Sequence, residues 1–257
     1  MRTRTIAVAV AVLAVAVLAG AARADWDTTM PFKYVQYPDL FEGLDVNATA
    51  PKVLADDFPC NMTGAITDIH LWTSWKYDEG PQAIPIRLSI HSNVPAGPAA
   101  FSMPGAELWS RVFLPTEYTI KQIVDVPPEG WYDPNTGEYL PANHLNMYQY
   151  NFKINAADAF VQQGTPGKAL IYWLDVSGLQ LPEPVFGWKT SEDHWMDAAV
   201  FGHLDANNKP IGDWQPLYYP GTTRPLDMAF VITPEPATLC LLGAGLAGLV
   251  ARRMRRK

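Results

Sequence analysis

Apolar and polar residues alternate with a period of two along much of this chain. Ile84, Ile86, Leu88 and Ile90 are interleaved with Pro85, Arg87, Ser89 and His91; Tyr148, Tyr150, Phe152 and Ile154 repeat the pattern against Met147, Gln149, Asn151 and Lys153. Successive side chains of a strand point to opposite faces, so this alternation predicts strands with one face on a core. Further strands are expected at 52–58, 66–75, 108–113, 170–176, 185–190 and 227–232. Between them stand turn formers such as Pro95-Ala96-Gly97-Pro98, Pro127-Pro128-Glu129-Gly130, Asp133-Pro134 and Pro220-Gly221. Many short strands punctuated this way predict an all-β, antiparallel sandwich. A jelly-roll-like topology is expected over an immunoglobulin-like one, because the body is long for the roughly 100 residues of the latter. One helix is expected at 155–163, with Asn155 as N-cap, Asp158 near the positive end of the helix dipole and Gly164 at the stop.

The two ends break the alternation. At the amino terminus Arg2 and Arg4 precede an Ala/Val/Leu run at 6–18, and Ala22-Arg23-Ala24 supplies a small-x-small site before Asp25. This is the pattern of a secretory signal peptide removed by signal peptidase. At the carboxyl terminus Pro234-Glu235-Pro236 is followed by an apolar run at 237–251 and then by Arg252-Arg253-Met254-Arg255-Arg256-Lys257. A helix over that run would rise about 22 Å against a hydrocarbon core of roughly 30 Å. It would span only with arginine snorkelling and local thinning, the basic cluster staying cytoplasmic. The expected organisation is a signal peptide at 1–24, a sandwich domain at 25–233 and a tail at 234–257.

The tail resembles the PEP-CTERM sorting signal of Gram-negative bacteria. That resemblance implies transient inner-membrane insertion, recognition by an exosortase, a membrane protease, and removal of the tail. Delivery to the cell surface or an exopolysaccharide matrix would follow. Within the body, APKVLADDF from Ala50, TDIHLW from Thr67, SIHSNVPAGP from Ser89, EGWYDPNTGEY from Glu129, YWLDV from Tyr172 and FGWKTS from Phe186 resemble an uncharacterised domain family of secreted bacterial proteins. The resemblance implies a compartment and a fold, and no activity.

Charge sharpens this picture. The chain carries 19 basic and 26 acidic residues, a net charge of −7, but eight of the basic residues and only one of the acidic ones sit in the two removable ends. Their loss doubles the negative charge of what remains, which disfavours nucleic acid and anionic lipid as partners. Cys240 belongs to the tail, leaving Cys60 alone in the body; its neighbours Phe58 and Pro59 predict burial at a strand end.

Candidate chemistry is sparse. Asp56 and Asp57 are carboxylates that a structural Ca²⁺ could use, but adjacent strand residues face opposite ways. The segment from Asp133 to Glu138 reads as a hairpin turn, since its glycine falls out of register for a calcium loop. The histidines His70, His91, His144, His194 and His203 are scattered, His70 and His91 being expected to meet across strands on the polar side. No metal-protease, nucleophile-elbow or thiol-dyad pattern is present. Nine tryptophans are expected mostly in the core. Trp72 stands apart: with Ile69, Leu71 and Trp75 inward, Asp68, His70 and Trp72 share the outer face as a candidate glycan platform. The sequence therefore reads as a non-enzymatic exported surface or matrix protein without a required cofactor. A carbohydrate-binding module is the alternative, and a glycan-active enzyme ranks below both.

Overall fold

Alternation becomes ladder pairing throughout the computed structural model, which describes residues 25–97, 101–123, 126–179 and 183–234. The expected signal peptide with Ala22 and Ala24, and the tail with Glu235, Pro236, Arg252, Arg253, Arg255 and Arg256, lie outside the described residues. The strands in chain order are β1 (Tyr34–Gln36), β2 (Leu44–Asn47), β3 (Lys52–Cys60), β4 (Gly64–Trp75), β5 (Ile86–Val94), β6 (Met103–Phe113), β7 (Tyr118–Ile123) and β8 (Glu129–Asp133). They continue with β9 (Glu138–His144), β10 (Met147–Lys153), β11 (Val161–Gln162), β12 (Leu170–Gly178), β13 (Phe186–Lys189), β14 (Val200–His203), β15 (Gln215–Pro216) and β16 (Phe230–Pro234). Among the described residues no helix is long and apolar enough to cross a membrane.

Two sheets form a sandwich. A ten-stranded sheet runs β1-β16-β4-β13-β2-β8-β9, with β10 and β11 pairing the other side of β4 and β7 beyond β10; a six-stranded sheet runs β15-β14-β3-β12-β5-β6. All pairings between these strands are antiparallel except β2 with β8. The main core lies between the sheets. Leu54, Phe58, Leu88, Ile90, Leu174 and Val176 of the smaller sheet meet Ile69, Leu71, Tyr150, Phe152, Trp188 and Phe230 of the larger. Phe58 packs edge-on to Phe230 with ring centroids 6.0 Å apart, and Phe113 to Phe152 at 5.0 Å. Each such side chain taken out of water contributes about 1.5–3 kcal/mol.

The expected helix at 155–163 does not form. The segment makes a turn in which Asp158 N donates to Asn155 O, and then Val161 and Gln162 pair with Ala65 and Gly64 as β11. Nine residues are too few for a helix to hold itself without an apolar stripe, and the residues from Asn155 to Asp158 are all exposed. The free end of β4 offers ladder hydrogen bonds instead.

Candidate functional site

Four ionisable side chains that lie far apart in sequence meet on the larger sheet. Leu44, Val46 and Trp188 point into the main core, so strand alternation sends Asp45 of β2 and Lys189 of β13 to the opposite face. Lys189 and Asp45 are register partners. Glu129 begins β8 and His144 ends β9, the two being partners in the hairpin. His144 Nε2 lies 2.9 Å from Asp45 Oδ2 and 3.6 Å from Glu129 Oε2. Lys189 Nζ lies 2.7 Å from Glu129 Oε1 and 3.9 Å from Asp45 Oδ2. None of the four side chains is more than 3% exposed.

Sterics explain how a lysine reaches that depth. Its side chain passes over Gly43: a Cβ there would stand 2.5 Å from Nζ and 2.9 Å from Cε. Electrostatics then divide the four groups into two pairs. Burial raises the Asp45 carboxyl, but the hydrogen bond from His144 and the charge of Lys189 outweigh it, so Asp45 stays below the usual carboxylate range. Burial and repulsion from Asp45 carry Glu129 above its usual range, against the nearby His144 imidazole and the charge of Lys189. For His144, burial opposes charging, but its hydrogen bond to Asp45 and the nearby Glu129 carboxyl prevail and push it up to about 9.

The carboxylate and imidazole donors of Asp45, Glu129 and His144 lie within 4.8 Å of one another, a spacing suited to a cation. The ammonium of Lys189 already fills that role. Two carboxylates against a lysine and an imidazolium make a neutral quartet, and a divalent ion added to it would leave a buried excess of positive charge.

A second buried network occupies the outer face of the smaller sheet. Arg87 Nη1 donates to Asp175 Oδ1 at 2.7 Å, Arg87 also bonds Glu107, and His91 Nε2 lies 2.8 Å from both Asp175 Oδ2 and Ser89 Oγ. Ser89, His91 and Asp175 are not a hydrolytic triad. A relay needs serine and aspartate on different ring nitrogens, whereas here both meet Nε2 and Nδ1 faces the Gly105 carbonyl at 3.1 Å. The expectation that His70 and His91 meet across strands is corrected: they lie on β4 and β5, in different sheets.

The candidate glycan platform takes a different form from the one expected. Asp68, His70 and Trp72 do share the outer face of β4, but His70 is 2% and Trp72 6% exposed. Trp26 covers them, its ring 6.0 Å from Trp72 and 6.5 Å from His70. His70 Nδ1 is tied to Asn151 Oδ1 at 2.7 Å, and burial holds its pKa down to about 4. Only Asp68 keeps partial access to solvent, at a small hollow shared with Thr119, Asn151 and Lys153.

Asp56 and Asp57 face opposite ways, as adjacent strand residues must. Asp56 accepts from Gln36 Nε2 at 2.7 Å and Met228 N at 2.6 Å. Asp57 is buried with neither oxygen hydrogen-bonded among the described residues, and burial with repulsion from Asp227 and Asp197 pushes it up to about 8. The two carboxylates do not converge on one position.

Asp133 to Glu138 is the expected hairpin turn, its Asp133 receiving Lys52 Nζ at 2.6 Å and Asn135 N at 3.0 Å. His194 pairs with Asp227 at 3.0 Å and His203 with Asp213 at 2.6 Å, both half exposed. Cys60 ends β3, is buried, and donates to the Met62 carbonyl; burial raises its thiol. Seven of the nine tryptophans are buried, leaving Trp109 and Trp195 partly covered.

An open concavity lies beside the quartet. A cleft of about 570 Å³ is bordered by Gly43, Leu44 and Gly130 at its floor and by Phe41, Tyr139 and Tyr219 at its rim. Tyr139 and Tyr219 meet edge-on, their hydroxyls 3.3 Å apart, and the Arg224 guanidinium lies 5.6 Å from the Tyr219 ring.

Sequence reasoning passed over Asp45, Glu129 and Lys189 as site residues. Glu129 opens the EGWYDPNTGEY fragment and Lys189 sits within FGWKTS. A lysine enclosed by aromatic and small residues in a strand was the available signal.

Comparison with known proteins agrees with this architecture. Residues 233–256 match the PEP-CTERM protein-sorting motif, so the chain carries the signal of an exported protein processed by an exosortase. No curated protein and no solved structure matches the chain. Residues 32–233, from just before β1 to the next-to-last residue of β16, match a domain of unknown function, and the chain belongs to that family, DUF7901.

Proposed function

We propose that this chain is a non-enzymatic scaffold delivered to the cell surface or to an exopolysaccharide matrix. The observation that carries the reading is where the fold stops. β16 is an interior strand held by β1 and β4, and its last residue, Pro234, is the first residue of the Pro-Glu-Pro motif. A cut just beyond it releases a sandwich that has lost no strand. The chemistry of the interior supports the non-enzymatic part, because the clustered acids described above are buried among compensating groups. The expected signal peptide at 1–24 supplies the route out.

The test is fractionation of a host that carries an exosortase, with peptide mapping of the recovered protein. The wild-type chain is expected in the surface or matrix fraction with its tail removed. Replacing Arg252, Arg253, Arg255 and Arg256 by alanine should leave the tail uncut and the protein with the inner membrane. Recovery of intact wild-type chain from the cytosol overturns the proposal.

The cleft favours a second reading, carbohydrate binding. Phe41 is 87% exposed, and with Tyr139 and Tyr219 it offers aromatic faces beside Glu42 and Arg224; sugar rings stack on such faces. Glycan-array binding that is lost in the double variant Y139A/Y219A would favour it over a purely structural role.

A further inference from the structure

Lys189 and Glu129 approach closely in an unusual way. Nζ and Oε1 are 2.7 Å apart, yet neither Nζ nor either oxygen of Glu129 makes a contact with hydrogen-bond angles. A nucleophile and a carboxyl group in contact, held in an enclosed pocket beside an acid and a base, are the requirements of an acyl transfer. We propose that Lys189 Nζ and the Glu129 side chain condense into an intramolecular amide, with Asp45 and His144 moving the protons.

The step balances within the quartet. One proton passes from Nζ to Glu129 across their contact, leaving a neutral amine and a neutral carboxyl. The amine lone pair attacks Glu129 Cδ and the N–C bond forms. Asp45 Oδ2, 3.9 Å from Nζ, takes a proton from the nitrogen. His144 Nε2, 3.6 Å from Glu129 Oε2, gives its proton to that oxygen. The C–O bond to Oε2 breaks as Oε1 gives its proton to the departing hydroxyl, which re-forms the carbonyl at Oε1 and releases one water. The proton on Asp45 then returns to His144 across 2.9 Å. The net change is a lysine ammonium and a glutamate carboxylate becoming an amide and water, with no oxidant, metal or other reactant.

Several features select this pair. Asp45 is farther from Nζ than Glu129 is and is already engaged by His144, which suits it to accept a proton rather than to be attacked. The carboxyl that burial drives toward its neutral form is Glu129, and only a neutral carboxyl is a useful electrophile. Release of water removes two charges from a dry interior, where retaining them is costly. Gly43 gives the lysine its path, and Leu44 and Gly130, the chain neighbours of Asp45 and Glu129, line the open cleft. The product would join β13 to β8 across β2. The only cysteine among the described residues is a free one, so this bond would supply the covalent closure that a disulfide supplies elsewhere.

Mass spectrometry of the purified full-length chain, with its termini read by peptide mapping, tests the proposal. The denatured protein is expected to be lighter than its sequence by one water. Trypsin should fail to cut after Lys189, and tandem spectra should show the Lys189 peptide joined to the Glu129 peptide. The variant D45N keeps both reactants and should form the bond at least about tenfold more slowly. The wild-type measurement stands whether or not any variant folds. A folded wild-type chain of full mass with a reactive Lys189 amine overturns the proposal, as does a bond from Lys189 to Asp45, or a free amine alongside a tightly held divalent ion.

Discussion

Trp26 sits two residues after the expected cleavage point at Ala24, yet it is 3% exposed. Its amide donates to Gln149 Oε1 at 3.0 Å and its carbonyl accepts from Gln149 Nε2 at 3.1 Å, so one glutamine of β10 fixes its backbone on both sides. The indole then packs against Trp72, Tyr37 and His70. The start of the body is thereby the lid of the outer face of β4, and the candidate platform of Asp68, His70 and Trp72 is covered by chain rather than by water. Trp26→Ala should cost about 3–5 kcal/mol, the range for removing a buried large aromatic. Trp72 should become open to acrylamide quenching at the same time. Denaturant unfolding that shifts by less than a few tenths of a kcal/mol would mean that the lid is loose and that the platform is available after all.

At the scale of the elements, the central strands of both sheets bury polar groups on their outer faces, which makes single strands sensitive to charge removal. β12 places Asp175 opposite Ser89 of β5 and against both Arg87 and His91. Asp175→Asn would strip the fully buried carboxylate from Arg87 and His91, and breaking a buried pair in this way costs about 3–5 kcal/mol. Urea unfolding measures it, and Asp175→Asn with wild-type stability would show that Glu107 alone can hold Arg87. The same faces explain what the sequence could and could not disclose. β3, β4, β5, β10, β12 and β16 were legible because Leu54, Ile69, Leu88, Tyr150, Leu174 and Ile232 keep an apolar phase on the main core. β2 was not legible, because Asp45 and Asn47 read as surface residues although both are buried. The helix at 155–163 was misread because its capping residues are equally good turn residues, and pairing with the end of β4 decided between them. The quartet could not be assembled at all: its members come from four strands, and what unites them is register between β13, β2, β8 and β9, which a linear pattern does not carry.

For the molecule as a whole, the distribution of buried acids sets how stability responds to pH. Asp57 is pushed up to about 8 by burial and by Asp227 and Asp197, and Asp56 and Asp227 are raised as well, burial being the largest cause for each. The folded state holds these protons where the unfolded chain, with ordinary carboxylates near 3.8, has released them. The contribution of Asp57 is therefore complete below about pH 4 and is lost as pH rises through about 8, by at most about 1.4 kcal/mol per pH unit, and Asp56 and Asp227 act in the same direction. His70 works in the other direction. Burial holds it down to about 4, so stability is lost as pH falls from its ordinary 6.5 toward 4. Between about pH 4 and 6.5 this one histidine offsets only part of the acids' trend, and above 6.5 its opposition ends. His91, raised because its bonds to Asp175 outweigh its burial, adds to the same decline as it loses its proton. The unfolding midpoint should accordingly fall gently over the mildly acidic range and more steeply between pH 6.5 and 8. In Asp57→Asn that fall should be shallower, because one of the groups that releases a proton is gone. A wild-type midpoint that climbs from pH 6.5 to 8 would mean that these carboxylates are ionised in the fold and held by a cation, and Asp57 would then be the first residue to examine for it.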